Sequence, residues 1–199
     1  MLAGMNTTQE TVTPATTSHA ATTRHLWKLD PIHSTVGFSV RHLMVHNVRG
    51  IFEQVSGTLR YDPDNLENTQ IDVTIVASSV HTHDAQRDAH LRSADFFDAE
   101  AHPQLTFRST QVRRDKAGTL EIVGELCLRG TTRPITLEVT EVTSEQRDFQ
   151  GARRFGASAR GKLRRSDFGI TFNKLLETGS VAISDEVALS IDVSLVKVA

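Results

Sequence analysis

The chain has a single cysteine, Cys127, so no disulfide closes within it and a four-cysteine metal site is excluded, which fits a reducing compartment. It has no run of about 18 apolar residues, the length a membrane-crossing helix needs, so no stable membrane insertion is expected. Positive charge is not in excess: 22 Lys and Arg stand against 24 Asp and Glu, a formal net charge of −2. That balance gives no bulk attraction to nucleic acid. A glycine-rich phosphate loop and a serine in a strand-to-helix elbow are both missing, which removes nucleotide chemistry and one route to an activated nucleophile. Residues 1–24 are rich in Thr, Ala and Ser and read as a disordered tail. They lack the positive start and the apolar segment of about 7 to 15 residues that an export signal requires, so a cytoplasmic address is expected.

What the chain does have is alternation. At 199 residues, with 38% hydrophobic and 23% charged side chains, it fits one soluble domain over residues 25–199. After Trp27 the apolar period is two, the mark of strands with one buried face. The first series is Val36, Phe38, Val40 with His42 in line. The second runs from Ile51 to Tyr61, where Ile51, Val55, Leu59 and Tyr61 share a parity that Phe52 breaks, predicting a bulge. Further series are Ile71–Ile75, Leu105–Ser109, Leu120–Leu128, Ile135–Val139, Phe155–Leu163 and Val187–Leu195. One helix is predicted over Ala85–Phe97, with Ala89, Leu91, Ala94 and Phe97 apolar and Pro103 beyond its end. Ser166–Leu176 is expected to loop across one barrel mouth.

Eight one-faced strands without βαβ alternation predict an all-β fold, an eight-stranded antiparallel barrel or, as the competing closure, a two-sheet sandwich. Small inward residues, Ala157, Ala159, Gly161 and Gly124, leave room inside such a barrel. An unfilled apolar void costs on the order of 24 cal/mol per Å³, so a retained void implies an occupant. The alternative is that large neighbours such as Phe107 fill the gap.

Several constellations have both a chemical and a structural reading. His81, His83 and His90 with Asp84 carry zinc-donor atoms but precede a helix with no matching second cluster, so no metal is expected. Arg87 and Asp88 stand at the head of the helix, where an acidic group offsets the helix dipole, and Arg87 either fastens the helix or meets a ligand headgroup. His33 and His42 flank the first strand near a mouth, as headgroup contacts or as histidines bonded to backbone. Phe38, Phe52, Phe107 and Phe155 have the apolar mass either to line a bore or to fill a core. The basic run at Arg153, Arg154, Arg160, Lys162, Arg164 and Arg165 places most of its charges on one outward parity, a solvated face and not a nucleic-acid patch. Cys127 lies outward between Leu126 and Leu128, and no catalytic triad can be named, so the chain is not expected to be an enzyme.

WKLDPIHSTVGFSVRHL (Trp27–Leu43), then Gly50, Phe52 and Gly57, and above all SSVHTHDAQRDAHLRSADFFDAEAHPQLTFRST (Ser78–Thr110), resemble the YceI-like family of lipocalin-like polyisoprenoid-binding proteins. GELCLRGTTRPITLEV (Gly124–Val139), RSDFGI (Arg165–Ile170) and ISDEV (Ile183–Val187) are similar to its remaining blocks. His81 and His83 depart from the usual residues beside Thr82. The resemblance implies an extended eight-stranded barrel whose bore takes a polyisoprenoid, an isoprenoid quinone or another long-chain lipid, for carriage, storage or sequestration, and no cofactor beyond that lipid. The ligand contacts expected are His33, Val36, Phe38, Val40, His42, Phe52, Arg87, Leu91, Phe97, Phe107, Leu126, Phe155, Ala157 and Ala159. Two alternatives stay open: an enzyme acting on an isoprenoid or other lipid, and a filled barrel serving as an interaction module or homodimer.

Overall fold

The computed structural model describes residues 25–43, 45–62, 65–173 and 182–198. Its strands, in chain order, are β1 (His25–Leu29), β2 (Thr35–His42), β3 (His46–Phe52), β4 (Val55–Tyr61), β5 (Gln70–Val76), β6 (Val80–His81), β7 (Gln104–Arg114), β8 (Leu120–Leu128), β9 (Thr131–Val142), β10 (Gln146–Arg147), β11 (Arg153–Arg164) and β12 (Ile183–Lys197). One helix, α1 (Ala85–Arg92), separates β6 from β7. Every strand pairing is antiparallel, and β12 is the seam that closes the sheet on itself. One edge of β12 pairs with β11 from Glu186 to Val196, and the other pairs first with β2 and then with β1. Strands β9, β8, β7, β5 and β4 complete the circuit back to β1. The result is a closed eight-strand barrel, because four of its staves (β1 with β2, β3 with β4, β5 with β6, β9 with β10) are each built from two short strands in succession. Closure confines the edges open to another chain to short stretches such as 46–50 and 131–136 among the described residues.

Two of the breaks have a plain local cause. Between β1 and β2, Pro31 starts a 3-10 turn (Pro31–His33) that the Asp30 carboxylate caps by accepting from the Ile32 N–H at 3.1 Å. Between β3 and β4, the Glu53 N–H donates to the Ser79 carbonyl and the Gln54 N–H to Ser79 Oγ, each at 3.1 Å. This break resets the alternation, so that Phe52 and Val55 are both buried, and it replaces the bulge expected from the sequence. It is Phe52, and not Ile51, that faces the interior. β1 itself was not anticipated, because Asp30 and Pro31 interrupt its pattern after only Trp27 and Leu29.

Helix α1 ends at Arg92, five residues before the expected Phe97. Ser93 turns extended, its hydroxyl donating to the His90 carbonyl at 2.8 Å, the local competition with helical bonding that serine provides. Tight turns follow, with Asp98 in the left-handed region at φ 50. They carry Phe96 and Phe97 onto the same core as Leu91, which is why the periodicity read as one longer helix. The segment after β11 begins as a 3-10 turn (Arg165–Phe168) ended by Gly169 at φ 74, and it buries Phe168 and Ile170. Residues 174–176 of the expected loop, and the tail at 1–24, lie outside the described residues.

Candidate functional site

The inward parities of the staves enclose an apolar cavity of about 600 Å³. It is long rather than round. Along β12 its wall includes Val187, Leu189, Ile191, Val193 and Leu195; at about 3.3 Å per residue and a tilt of about 40°, those eight steps cover roughly 20 Å of barrel axis. A sphere of that volume would be only about 10 Å across. A bore of this size falls within the roughly 300–1,000 Å³ range of small-molecule sites.

One end of the bore lies under Trp27. The indole meets Phe155 edge-on at 4.7 Å, Lys197 Nζ sits 5.6 Å above its ring, and its buried Nε1 has no hydrogen-bond partner among the described residues. Tyr61, Leu66, Arg114, Leu120, Val142 and Glu145 ring the wall around it. The other end is covered by α1 and the turns after it, through Leu91, Phe96 and Phe97, with Phe97 in edge contact with Phe38 and Phe52.

The helix cover is fastened by charge. Arg92 donates to the Ser78 and Val80 carbonyls at 2.7 and 3.0 Å, and Arg87 donates to Thr82 Oγ1 and the Thr82 carbonyl, both at 2.7 Å. Asp88, buried, accepts from the Thr82 N–H at 2.8 Å and the Thr82 hydroxyl at 2.5 Å. Burial opposes its ionisation, but the two Thr82 bonds, with His81 and Arg92 nearby, outweigh that and hold the carboxyl below the usual range. A buried cation, Arg165, reaches the cavity wall. Its guanidinium donates to the carbonyls of Ser184, Ile170, Phe172 and Ile183, so backbone dipoles solvate it in place of a carboxylate. Burial lowers its pKa, with Asp185 acting against the shift.

Of the residues expected from sequence, Val36, Phe38 and Val40 of β2, Phe52 of β3 and Leu91 of α1 face the cavity. So do Phe97, Phe107 and Leu126, and Phe155, Ala157 and Ala159 of β11. Three others lie elsewhere. His33 is exposed and bonds Asp30 through Nδ1 at 2.8 Å, Arg87 is committed to Thr82, and His42 packs against His46 with its centroid 5.4 Å away. The gaps expected at Gly124 and Gly161 are filled: a Cβ there would strike Phe107 and Leu137 respectively. Sequence reasoning missed Trp27, Leu29 and Arg165 as wall residues. The first two sit in the unrecognised β1, and Arg165 reads as the end of a basic run whose outward parity belongs to Arg154, Arg160, Lys162 and Arg164, with nothing in the pattern to show that its side chain is buried. The other charges of that run do point outward, into cross-strand ion pairs of Arg160 with Glu138, Lys162 with Glu186 and Arg164 with Asp185. His81 Nε2 and His83 Nδ1 lie 3.1 Å apart, and no group of three or more metal-donor residues is found among the described residues. No helix there is long and apolar enough to cross a membrane.

Comparison with known proteins agrees with this geometry. The YceI-like domain family matches residues 27–195. Protein YceI of Escherichia coli O157:H7 is 41% identical over 138 residues, covering 69% of this chain and 71% of that one. In fold, the crystal structure of BcnA from Burkholderia cenocepacia superposes with a TM-score of 0.69 at 22% identity, covering 83% of this chain and 98% of the other. A polyisoprenoid binding domain from Saccharophagus degradans superposes at 0.60 and 16%, covering 86% and 98%. A barrel closed by one seam strand around an apolar bore, with this agreement over nearly all the described residues, establishes that the chain belongs to the YceI-like family.

Proposed function

We propose that this protein binds one long apolar molecule, a polyisoprenoid, an isoprenoid quinone or a similar lipid, inside the barrel, and carries, stores or sequesters it in the cytoplasm without chemical change. The observation that carries this reading is the elongated apolar bore that survives although Phe107 and Leu137 already occupy the space over Gly124 and Gly161. Burial of each methylene in it contributes about 0.8 kcal/mol, so a long chain supplies ample gross driving force, reduced by the cost of ordering that chain. The S. degradans fold neighbour is itself a polyisoprenoid binding domain, which supports the ligand class. Catalysis would need titratable groups converging on one point of the bore; the charged wall residues Arg114 and Glu145 lie at one end and Arg165 at the other, engaged with backbone.

Solvent extraction of freshly purified protein followed by mass spectrometry tests the proposal. One equivalent of an unmodified long-chain lipid per chain is expected. Release of no stoichiometric lipid would favour the filled interaction module, and conversion of an added isoprenoid into product would favour an enzyme.

A further inference from the structure

The Trp27 end of the barrel carries an apolar, cationic projection that the bore alone does not explain. Strands β10 and β11 form a hairpin that extends the wall beyond β9, and its base contributes Phe155 to the cavity, with Val142, Thr143 and Glu145 just before it. At the tip stands Phe149, 111% exposed relative to an extended reference, a placement that leaves the whole ring in water. Ile32, 85% exposed, belongs to the turn between β1 and β2. One guanidinium ties the two loops together: Arg154 binds Asp30 beside Ile32 and Asp148 beside Phe149. Val142, 53% exposed, adds to the same end. Single exposed apolar residues are ordinary on protein surfaces, but these are gathered at one end of a barrel by a shared ion triad.

The charges nearby are mixed: Asp30, Asp148 and Glu145 are met by Arg154 and Arg153, and three further cations have no carboxylate partner among the described residues. Arg147 and Arg114 each donate to a backbone carbonyl, of Gly151 and Gly118, and neither is in an ion pair among the described residues. Lys197 lies over the indole at the rim. An aromatic tip flanked by uncompensated cations complements a bilayer surface, where the ring enters the acyl boundary and the cations meet lipid phosphates.

We propose that this end docks reversibly on a phospholipid bilayer containing anionic lipid, inserting Phe149 so that the mouth beside Trp27 opens onto the membrane that supplies or receives the ligand. The inference rests on the lipid-binding reading above, because a molecule suited to the bore is insoluble in water and its source is a membrane.

Vesicle flotation with phosphatidylcholine alone and with phosphatidylcholine plus phosphatidylglycerol tests the docking. Phe149→Ser is expected to weaken partitioning about tenfold or more, the cost of one lost aromatic burial. Its thermal unfolding should not change, since the ring touches no core. Arg147→Gln should weaken partitioning only where phosphatidylglycerol is present, and Phe149→Trp should show a blue-shifted emission on adding vesicles. Val45→Ser, which removes a 75%-exposed apolar side chain from the β2–β3 turn at the opposite end, should leave partitioning unchanged. No partitioning, partitioning insensitive to Phe149→Ser, equal loss with Val45→Ser, or a concentration-dependent dimer abolished by Phe149→Ser would each overturn the proposal. Lipid extraction of the same samples separates the two readings. A protein that holds lipid but ignores vesicles overturns docking alone, whereas one that partitions through Phe149 but holds no lipid overturns the bore reading alone.

Discussion

The Phe107 ring lies over Gly124, on the neighbouring strand, where any larger residue would place its Cβ. The absent side chain therefore does not enlarge the bore; it makes room for the Phe107 ring, which itself lines the cavity.

Gly124→Ala should consequently be costly. The new methyl would strike the ring and also come within 2.5 Å of the Arg108 carbonyl, which is backbone and cannot rotate away. Overpacking of this kind costs about 1–3 kcal/mol, and urea unfolding should show the midpoint fall with an unchanged slope.

Ala159→Trp acts on the bore instead of the wall. Ala159 pairs with Ile191 and Val139 and faces the cavity. An indole there should occupy the passage, and the lipid recovered per chain should fall about tenfold while the circular dichroism of the barrel is retained. Equal lipid recovery from both proteins would place the ligand outside the bore.

Below neutral pH the ion triad should fail in a defined window. Hydrogen bonds from His33 and Arg154 hold the Asp30 carboxyl at about 2, against an ordinary value of 3.8. A depressed folded pKa means the carboxylate stabilises the fold fully above about 4, and this contribution is lost as pH falls toward 2. Melting temperature should drop across that interval, and Asp30→Asn should flatten the drop while lowering stability at pH 7 by about 1.5–3 kcal/mol, the range for a lost charge-assisted bond.

Arg92→Met should loosen the helix cover. It strands the carbonyls of Ser78 and Val80, and Val80 is fully buried. Hydrogen exchange over residues 85–92 should quicken more than in the barrel strands. Ligand exchange should quicken with it if Leu91 and Phe97 close that end.

Much of this was legible because a period of two survives wherever a stave faces water on one side. It marked β2, β5, β7, β8, β9, β11 and β12, and with them the cavity residues from Val36 to Ala159. The signal failed at interruptions. Pro31 hid β1 and thereby Trp27, and the Ser79 clamp reset the parity between Phe52 and Val55. Arg165, just beyond β11, turns inward because four carbonyls from the segments around Ile170 and Ile183 converge on it, a contact set made by tertiary folding. His33 and His42 looked like headgroup ligands by chain position, yet neither turns toward the cavity.

The most direct measurement is a binding series of unbranched alcohols of increasing chain length, titrated into delipidated protein. Each added methylene should tighten binding about fourfold, the equivalent of roughly 0.8 kcal/mol, at one site per chain, until the chain fills the bore and the gain stops. Affinity independent of chain length, or binding at many weak sites, would contradict a single molecule-wide apolar passage.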